Sequence, residues 1–217
     1  MTGASRSTAT LVLAAFFLIP LLPASGVAQE DGFSLGGAIG TSVPSGDLAA
    51  FEDAGTSLGL HAGWNLSPRA ELRANLSADL YQEGVNQATG FEFPDVQLYT
   101  LTGGIDYELM SPGEGDWHVS VNGAAGLTNV TSDTIRSGTD LSEFSSTYPA
   151  VGGGVDIAYA ISEERRPHVE IFLSGGARVT FSDEDETARF APFSDELDGG
   201  MGTMTRFPIE AGMTFEF

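Results

Sequence analysis

Apolar and polar residues alternate one by one along eight segments of this chain. Successive side chains of a β-strand point to opposite faces, so a period of two predicts a strand with one apolar and one polar face. The eight segments span about 33–40, 58–66, 70–81, 96–109, 117–127, 151–161, 169–181 and 207–217. The pattern therefore predicts an all-β chain.

The connections between these segments alternate in length. Short connections carry the Pro, Gly and Ser residues of tight turns. In an up-and-down arrangement every short turn lies at one end, the turn end, and every long loop lies at the other, the loop end. The predicted fold is an eight-stranded, antiparallel, up-and-down β-barrel with both termini at the turn end. The short connections fall at about 67–69, 111–116 and 162–167, and the long ones at about 42–56, 82–95, 129–148 and 182–203.

The fourth segment changes phase along its length. Leu101 and Leu109 share one face, whereas Val96 and Leu98 fall on the other. An extra residue in one strand of a pair shifts the phase in this way. We therefore predict a β-bulge near Tyr99.

The interior of an eight-stranded barrel is just wide enough for side chains. One face of the predicted strands carries Leu, Val, Ile, Phe, Trp and Tyr, and the other carries Gly, Ala, Ser, Thr and charged residues, Arg206 among them. The second set fits a narrow, ion-paired interior and the first fits lipid, so we predict a transmembrane barrel. The reverse orientation would give a soluble, lipocalin-like barrel. The expected interior polar lining is Glu71, Arg73, Asp79, Asp106, Asp156, Glu170, Arg178 and Glu210.

Aromatic residues near the strand ends favour the transmembrane orientation. Outer-membrane barrels carry two interfacial girdles of aromatic side chains and have longer loops on the outer side. The predicted girdle at the turn end comprises Trp64, Tyr107, Trp117, Tyr159, Phe215 and Phe217, and the one at the loop end comprises Tyr81, Tyr99 and Phe181.

The N-terminus has the pattern of a secretory signal peptide. The apolar run Leu11–Leu22 is too short for a transmembrane helix, and the small residues Gly26 and Ala28 suit a signal peptidase. We expect residues 1–28 to be a signal peptide and residues 29–217 to be the barrel domain.

The formal net charge is −21, and all nine basic residues are Arg. This negative field disfavours nucleic acid as a partner. The chain has no cysteine, which excludes disulfides, thiol catalysis and iron–sulfur clusters. We expect no cofactor.

The C-terminal segment and the first long loop resemble those of a known family. The segment Phe207–Phe217 alternates and ends on Phe, like the signal read by the outer-membrane barrel assembly machinery, and residues 40–55 resemble the Gly…Pro-x-Gly-Asp…Phe…Gly opening loop of OmpA-like and OmpX-like barrel domains. The resemblance implies a bacterial outer-membrane location, with outer-membrane lipid, lipopolysaccharide and the assembly machinery as partners. The implied assembly signal is Phe207, Ile209, Met213, Phe215 and Phe217.

His118 and Ser120 have the His-x-Ser spacing of PagL-type lipid A deacylases, which are also eight-stranded barrels. A His and a Ser two residues apart share one strand face, so the imidazole could activate the hydroxyl. Both residues belong to the face predicted to line the interior, whereas a lipid A deacylase needs a site that faces lipid. We therefore expect an ordinary polar pair and no enzyme.

An acidic run in the last long loop could hold a divalent cation through carboxylate oxygens. It lacks the ligand spacing and Gly of a dedicated cation loop, so a solvated loop is the favoured interpretation. The candidate ligands are Asp183, Glu184, Asp185 and Glu186.

The predicted function is a structural or interaction role in the outer membrane, with four outer loops available to an extracellular partner. The runner-up is a narrow pore or a carrier of a small ligand in the lumen. A lipid A-modifying enzyme is the third alternative.

Overall fold

A computed structural model describes residues 32–50, 52–81, 85–86, 91–92, 95–110, 117–137, 140–162, 167–183 and 202–217. The predicted signal peptide, residues 1–28, lies outside the described residues. The barrel strands are β1 (Phe33–Gly46), β2 (Gly55–Ser67), β3 (Ala70–Tyr81), β4 (Val96–Met110), β5 (Trp117–Ser137), β6 (Asp140–Ser162), β7 (His168–Phe181) and β8 (Thr203–Glu216). Val85–Asn86 and Phe91–Glu92 form a separate two-stranded pair.

The eight strands close into one barrel in which each strand pairs antiparallel with its sequence neighbours. The barrel closes where β1 pairs with β8, with Ala38 opposite Gly212. In a closed sheet no strand has a free edge, so the backbone N–H and C=O groups of every strand find hydrogen-bond partners on both neighbouring strands. Closed barrels can cross lipid for this reason. This topology confirms the predicted fold class. Within the described residues, no helix is long and apolar enough to cross a membrane.

Large apolar side chains lie on the outside of the barrel. Ile39 is 62% exposed and Leu60 is 61% exposed, whereas the charged residue Arg206 is fully buried inside. Leu72 and Ile171, which a soluble barrel would pack in its core, are also exposed. A water-soluble protein rarely shows a continuous apolar surface of this kind, but a lipid-facing one requires it.

The bulge predicted near Tyr99 is wrong. The pairing of β4 with β3 runs without a shift from Val96, opposite Tyr81, to Tyr107, opposite Ala70. Val96 and Leu98 break the alternation because they point inward and are buried at the loop end of the barrel.

The boundary predicted for the third long loop is also wrong. β5 and β6 extend through most of residues 129–148 as a hairpin of 21-residue and 23-residue strands. Ser132 is the last β5 residue paired with β4, and Ala150 is the first β6 residue paired with β7. The hairpin therefore extends beyond the part of the barrel in which β5 also pairs with β4 and β6 also pairs with β7. In this extension the Ser- and Thr-rich strands pair only with each other.

A 3₁₀ turn, Asp47–Ala50, closes over the loop end after β1. Gly46 makes the turn with a φ of 63°, a left-handed conformation that glycine adopts without steric cost. The turn inserts Leu48 into an apolar cluster inside the barrel mouth, here called the apolar plug. Its members are Leu48, Tyr81, Val96, Leu98, Val130, Tyr148 and Met204.

One residue of the girdle predicted at the loop end, Tyr81, belongs instead to the apolar plug. Tyr81 is only 2% exposed and lies inside the barrel, so it does not belong to the outer girdle at the loop end. Its hydroxyl forms a hydrogen bond of 2.8 Å with Ser42 Oγ, which satisfies the polar end of the ring. Tyr99 and Phe181 point outward as predicted.

Candidate functional site: the barrel interior

The upper ion cluster lies below the apolar plug and consists of Asp79, Arg178, Arg206 and Glu210. Arg206 Nε contacts Asp79 Oδ2 at 2.6 Å, and both side chains are fully buried. Arg178 contacts Asp79 at 3.4 Å and Glu210 at 3.2 Å. Two guanidinium groups thus face two carboxylates, and the cluster is neutral.

Hydroxyl groups complete the hydrogen bonding of the upper ion cluster. Arg206 donates from Nη1 to Thr180 Oγ1 at 2.9 Å and from Nη2 to Thr100 Oγ1 at 2.6 Å. Thr128 Oγ1 lies within 2.9 Å of Thr100 and 3.1 Å of Thr180. Buried charges are stable only when pairing and hydrogen bonding are this complete.

The lower ion cluster lies toward the turn end and consists of Glu71, Arg73, Asp106 and Asp156. Arg73 contacts Glu71 through Nε at 3.0 Å, and Asp106 and Asp156 through Nη1 at 3.1 Å each. Three carboxylates thus share one guanidinium, which leaves a formal charge of −2. Asp156 Oδ1 is buried and has no hydrogen-bond partner.

A cavity of about 100 Å³ lies between the two ion clusters. Arg178 and Glu210 line it on one side, and Arg73 and Asp156 line it on the other. A water molecule needs about 10–15 Å³ of such space, so the cavity has room for several. At its wall His61 Nε2 lies 3.1 Å from Thr214 Oγ1.

Small residues make room for these interior side chains. A Cβ atom on Gly36 would overlap the His61 ring, and one on Gly212 would overlap the Phe172 ring and the Gly37 carbonyl. The glycine-rich polar face of the sequence is therefore a packing requirement of a narrow lumen.

The structure brings seven of the eight predicted lining residues into the two ion clusters. The eighth, Glu170, lies further toward the turn end, where its Oε1 is 3.8 Å from His118 Nδ1. Arg206, which the sequence also places on the polar face, is fully buried together with Asp79.

His118 and Ser120 have different polar partners in the structure. The Ser120 hydroxyl is hydrogen-bonded to the Asp106 carboxylate, and His118 instead faces Glu170. Both residues line the interior near the turn end, away from the outer, lipid-facing surface. In this arrangement His118 lies against Glu170, and the Ser120 hydroxyl is bound to Asp106.

Of the acidic run proposed as cation ligands, Asp183 is exposed at the end of β7. Glu184, Asp185 and Glu186 lie outside the described residues. In the part of the chain that the structure describes, no group of three or more His, Asp or Glu side chains is arranged to hold a metal ion.

The predicted assembly-signal residues form one outward-facing row on the last strand and the residue after it. Each is between 38% and 53% exposed on the apolar surface. The row consists of Phe207, Ile209, Met213, Phe215 and Phe217.

The closed barrel, its apolar exterior and its ion-paired interior define the fold of a small bacterial outer-membrane β-barrel. Neisserial surface protein A is similar at 15% identity over 86% of this chain and 97% of that chain, with a TM-score of 0.51. A major outer membrane protein from Thermus thermophilus is similar at 14% identity over 87% and 100% of the two chains, with a TM-score of 0.54.

The attachment invasion locus protein of Yersinia pestis, solved with the heparin analogue sucrose octasulfate, has the same fold. It is 12% identical over 87% of this chain and 100% of that chain, with a TM-score of 0.53. No protein-family profile and no curated protein matches the sequence. At these identities the likeness establishes the fold, which confirms the outer-membrane barrel type predicted from the sequence.

Proposed function

We propose that this chain is a bacterial outer-membrane β-barrel that anchors surface loops, with a structural or interaction role. The observation that carries the proposal is the outward belt of large apolar side chains, exemplified by Ile39 and Leu60, around a lumen of paired charges. Such a surface is stable in lipid and would aggregate in water. Residues 1–28 would direct export, and the outward row ending at Phe217 would direct assembly into the membrane.

The test of location is fractionation of the tagged chain, followed by a gel mobility assay with and without boiling. We expect the protein in the outer-membrane fraction and a faster-migrating, compact form in the unboiled sample. Recovery from the periplasm without detergent would contradict the proposal. A matched variant, Ile39→Asp, places a charge on the lipid face and should reduce the outer-membrane yield.

The closed interior supports an anchoring role over conduction. The apolar plug and the fully buried side chain of Arg206 fill the lumen at the loop end. The cavity between the ion clusters favours the runner-up, a narrow pore or small-ligand carrier. Recording in planar bilayers separates the two functions, because a filled lumen should give no resolved single-channel steps.

The charge of the loops indicates which partners they favour. The last long loop, residues 182–203, carries seven acidic residues and one Arg. Such a surface attracts cationic partners and repels polyanions. We therefore expect no binding of sucrose octasulfate at physiological salt, in contrast to the Yersinia protein. Saturable binding of that sulfated sugar would contradict this part of the proposal.

A further inference from the structure

The backbone ladder between β7 and β8 is interrupted at Pro208. β8 is paired with β7 up to Arg206 and again from Ile209, in one register, but not at Pro208 between them. That register places Pro208 opposite Gly176. Proline has no backbone N–H, and Pro208 is still paired with Ser42 on β1, so the missing donor is the one that would face β7. The Gly176 carbonyl oxygen therefore lacks its ladder donor.

The interruption lies at the cavity between the two ion clusters, here called the lumen cavity. Pro208 and Gly176 both line it, together with Asp156 of the lower ion cluster. Asp156 pairs with Ser174, two residues before Gly176, so Asp156 and Gly176 are diagonal neighbours about 7–8 Å apart. A carbonyl group without a donor is costly in a lipid-spanning wall, so Gly176 calls for a donor or a cation from the lumen.

Asp156 supplies a second acceptor to the lumen cavity. The residue is only 6% exposed, and its Oδ2 is held by Arg73 at 3.1 Å and by Asn122 at 3.2 Å. Its Oδ1 is buried and has no hydrogen-bond partner among the described residues. Arg73 is shared with Glu71 and Asp106, so it does not neutralise Asp156 alone. The Asp156 carboxylate thus keeps an acceptor atom and a share of unmatched negative charge.

The charge and the size of the lumen cavity restrict what can occupy it. Arg73 and Arg178 line it, but across both ion clusters three guanidinium groups face five carboxylates. Acceptors without donors in a negative field favour a cation. Divalent metals take several carboxylates, and the described residues hold no such group of three. A cavity of about 100 Å³ has room for one small monovalent ion and a few water molecules.

We propose that the lumen cavity binds one small monovalent cation, K⁺ or ammonium, through Asp156 Oδ1 and the Gly176 carbonyl oxygen. Water in the cavity completes the shell of the ion. The two ions carry the same charge and suit the same oxygen ligands, which ammonium reaches by donating N–H groups and K⁺ by direct contact. The bound ion lowers the surplus negative charge of the lower ion cluster and satisfies the carbonyl that Pro208 leaves without a donor.

The experiment measures urea unfolding of the purified chain, refolded in a zwitterionic detergent. K⁺ or ammonium replaces tetramethylammonium, as chloride salts, at constant ionic strength. Tetramethylammonium has the same charge but no N–H group, and its methyl groups keep the charge away from oxygen ligands. A cation that binds only the folded barrel stabilises it by mass action. Once the site is saturated, the ratio of folded to unfolded protein should rise about tenfold for each tenfold increase in K⁺ or ammonium. The larger of the two responses identifies the preferred ion.

Asp156→Asn should abolish this response, because it removes the carboxylate charge. Pro208→Ala should weaken the affinity about threefold or more, because the restored N–H occupies the Gly176 carbonyl. Glu108→Gln, at the turn end, removes the same charge as Asp156→Asn and should respond like the parent. Gel mobility without boiling verifies that each variant is folded.

Two results would overturn the inference and leave the lumen cavity to water alone. One is a parent protein that is equally stable in all three salts, and the other is a full response in Asp156→Asn. An unchanged affinity in Pro208→Ala would remove the Gly176 carbonyl from the site.

This inference needs a folded barrel and does not rest on the proposed function. A heat-modifiable barrel without any ion response would leave the membrane assignment intact.

Discussion

The upper and lower ion clusters occupy the same lumen but neutralise their charges differently. In the upper cluster two Arg side chains meet two carboxylates, and Arg206 and Asp79 are fully buried. In the lower cluster three carboxylates share Arg73, whose side chain is 20% exposed. The comparison teaches that the neutral cluster can hold a fully buried ion pair, Arg206 with Asp79, whereas no side chain of the cluster with excess negative charge is fully buried.

The largest expected effect is that of Arg206→Met. It leaves Asp79 with only the longer contact to Arg178 in a fully buried site, so we expect a loss of about 4 kcal/mol in the free energy of unfolding. Urea titration in detergent, followed by tryptophan fluorescence, measures it. Arg178→Met is the matched control and should cost less, because Arg178 is 22% exposed and Asp79 keeps Arg206. Equal losses would show that burial does not distinguish the two positions.

Arg73→Met should cost about 2 kcal/mol in the same titration, less than Arg206→Met. The adjacent cavity, which Arg73 and Asp156 line, has room for water that can solvate the charge left unpaired. A loss larger than that of Arg206→Met would reverse the comparison, and it would indicate that the lower ion cluster is the drier of the two.

The pH dependence of stability tests an acid that belongs to neither ion cluster. Burial raises the folded-state pKa of Glu52 from its ordinary value of 4.5 to about 8. The contribution of Glu52 to stability is therefore greatest below pH 4.5, and it is lost as the pH rises through about 8. Between pH 7 and pH 8 we expect a loss of about 1 kcal/mol from this group. Glu52→Gln should remove that slope, and an unchanged slope would assign it to another residue.

The smallest expected effect is that of Asp156→Asn. It removes one of the excess negative charges while an amide oxygen can still accept from Arg73 and Asn122, so the change should stay within about 0.5 kcal/mol. The matched variant Asp79→Asn should instead cost about 3 kcal/mol, because it unbalances the neutral upper ion cluster. If both variants lost the same stability, the contrast between the clusters would fail.

Local sequence patterns were enough to predict the strands and the polarity of each face. A period of two identifies both, and seven of the eight residues that it assigned to the interior lie in the two ion clusters of the structure. The pairing within each cluster could not be read from the pattern, because Arg206 and Asp79 are 127 residues apart and meet only across the closed lumen.

The apolar plug shows why the remaining predictions were wrong. Val96 and Leu98 are apolar residues on the polar face, and the pattern alone cannot distinguish an inward apolar cluster from a bulge. The length of the β5–β6 hairpin was likewise hidden, because Ser- and Thr-rich strands resemble loops in composition. Long-range packing decides both features.

The span of the upper ion cluster also has a kinetic consequence. Its charges come from β3, β7 and β8, and Arg206 bonds to Thr100 on β4, so every contact of Arg206 and Glu210 waits for the last strand to join. A half-inserted sheet would expose these unpaired charges to hydrocarbon. Stepwise entry, strand after strand, is therefore unfavourable, and membrane insertion should be coupled to barrel closure in one concerted, all-or-none event.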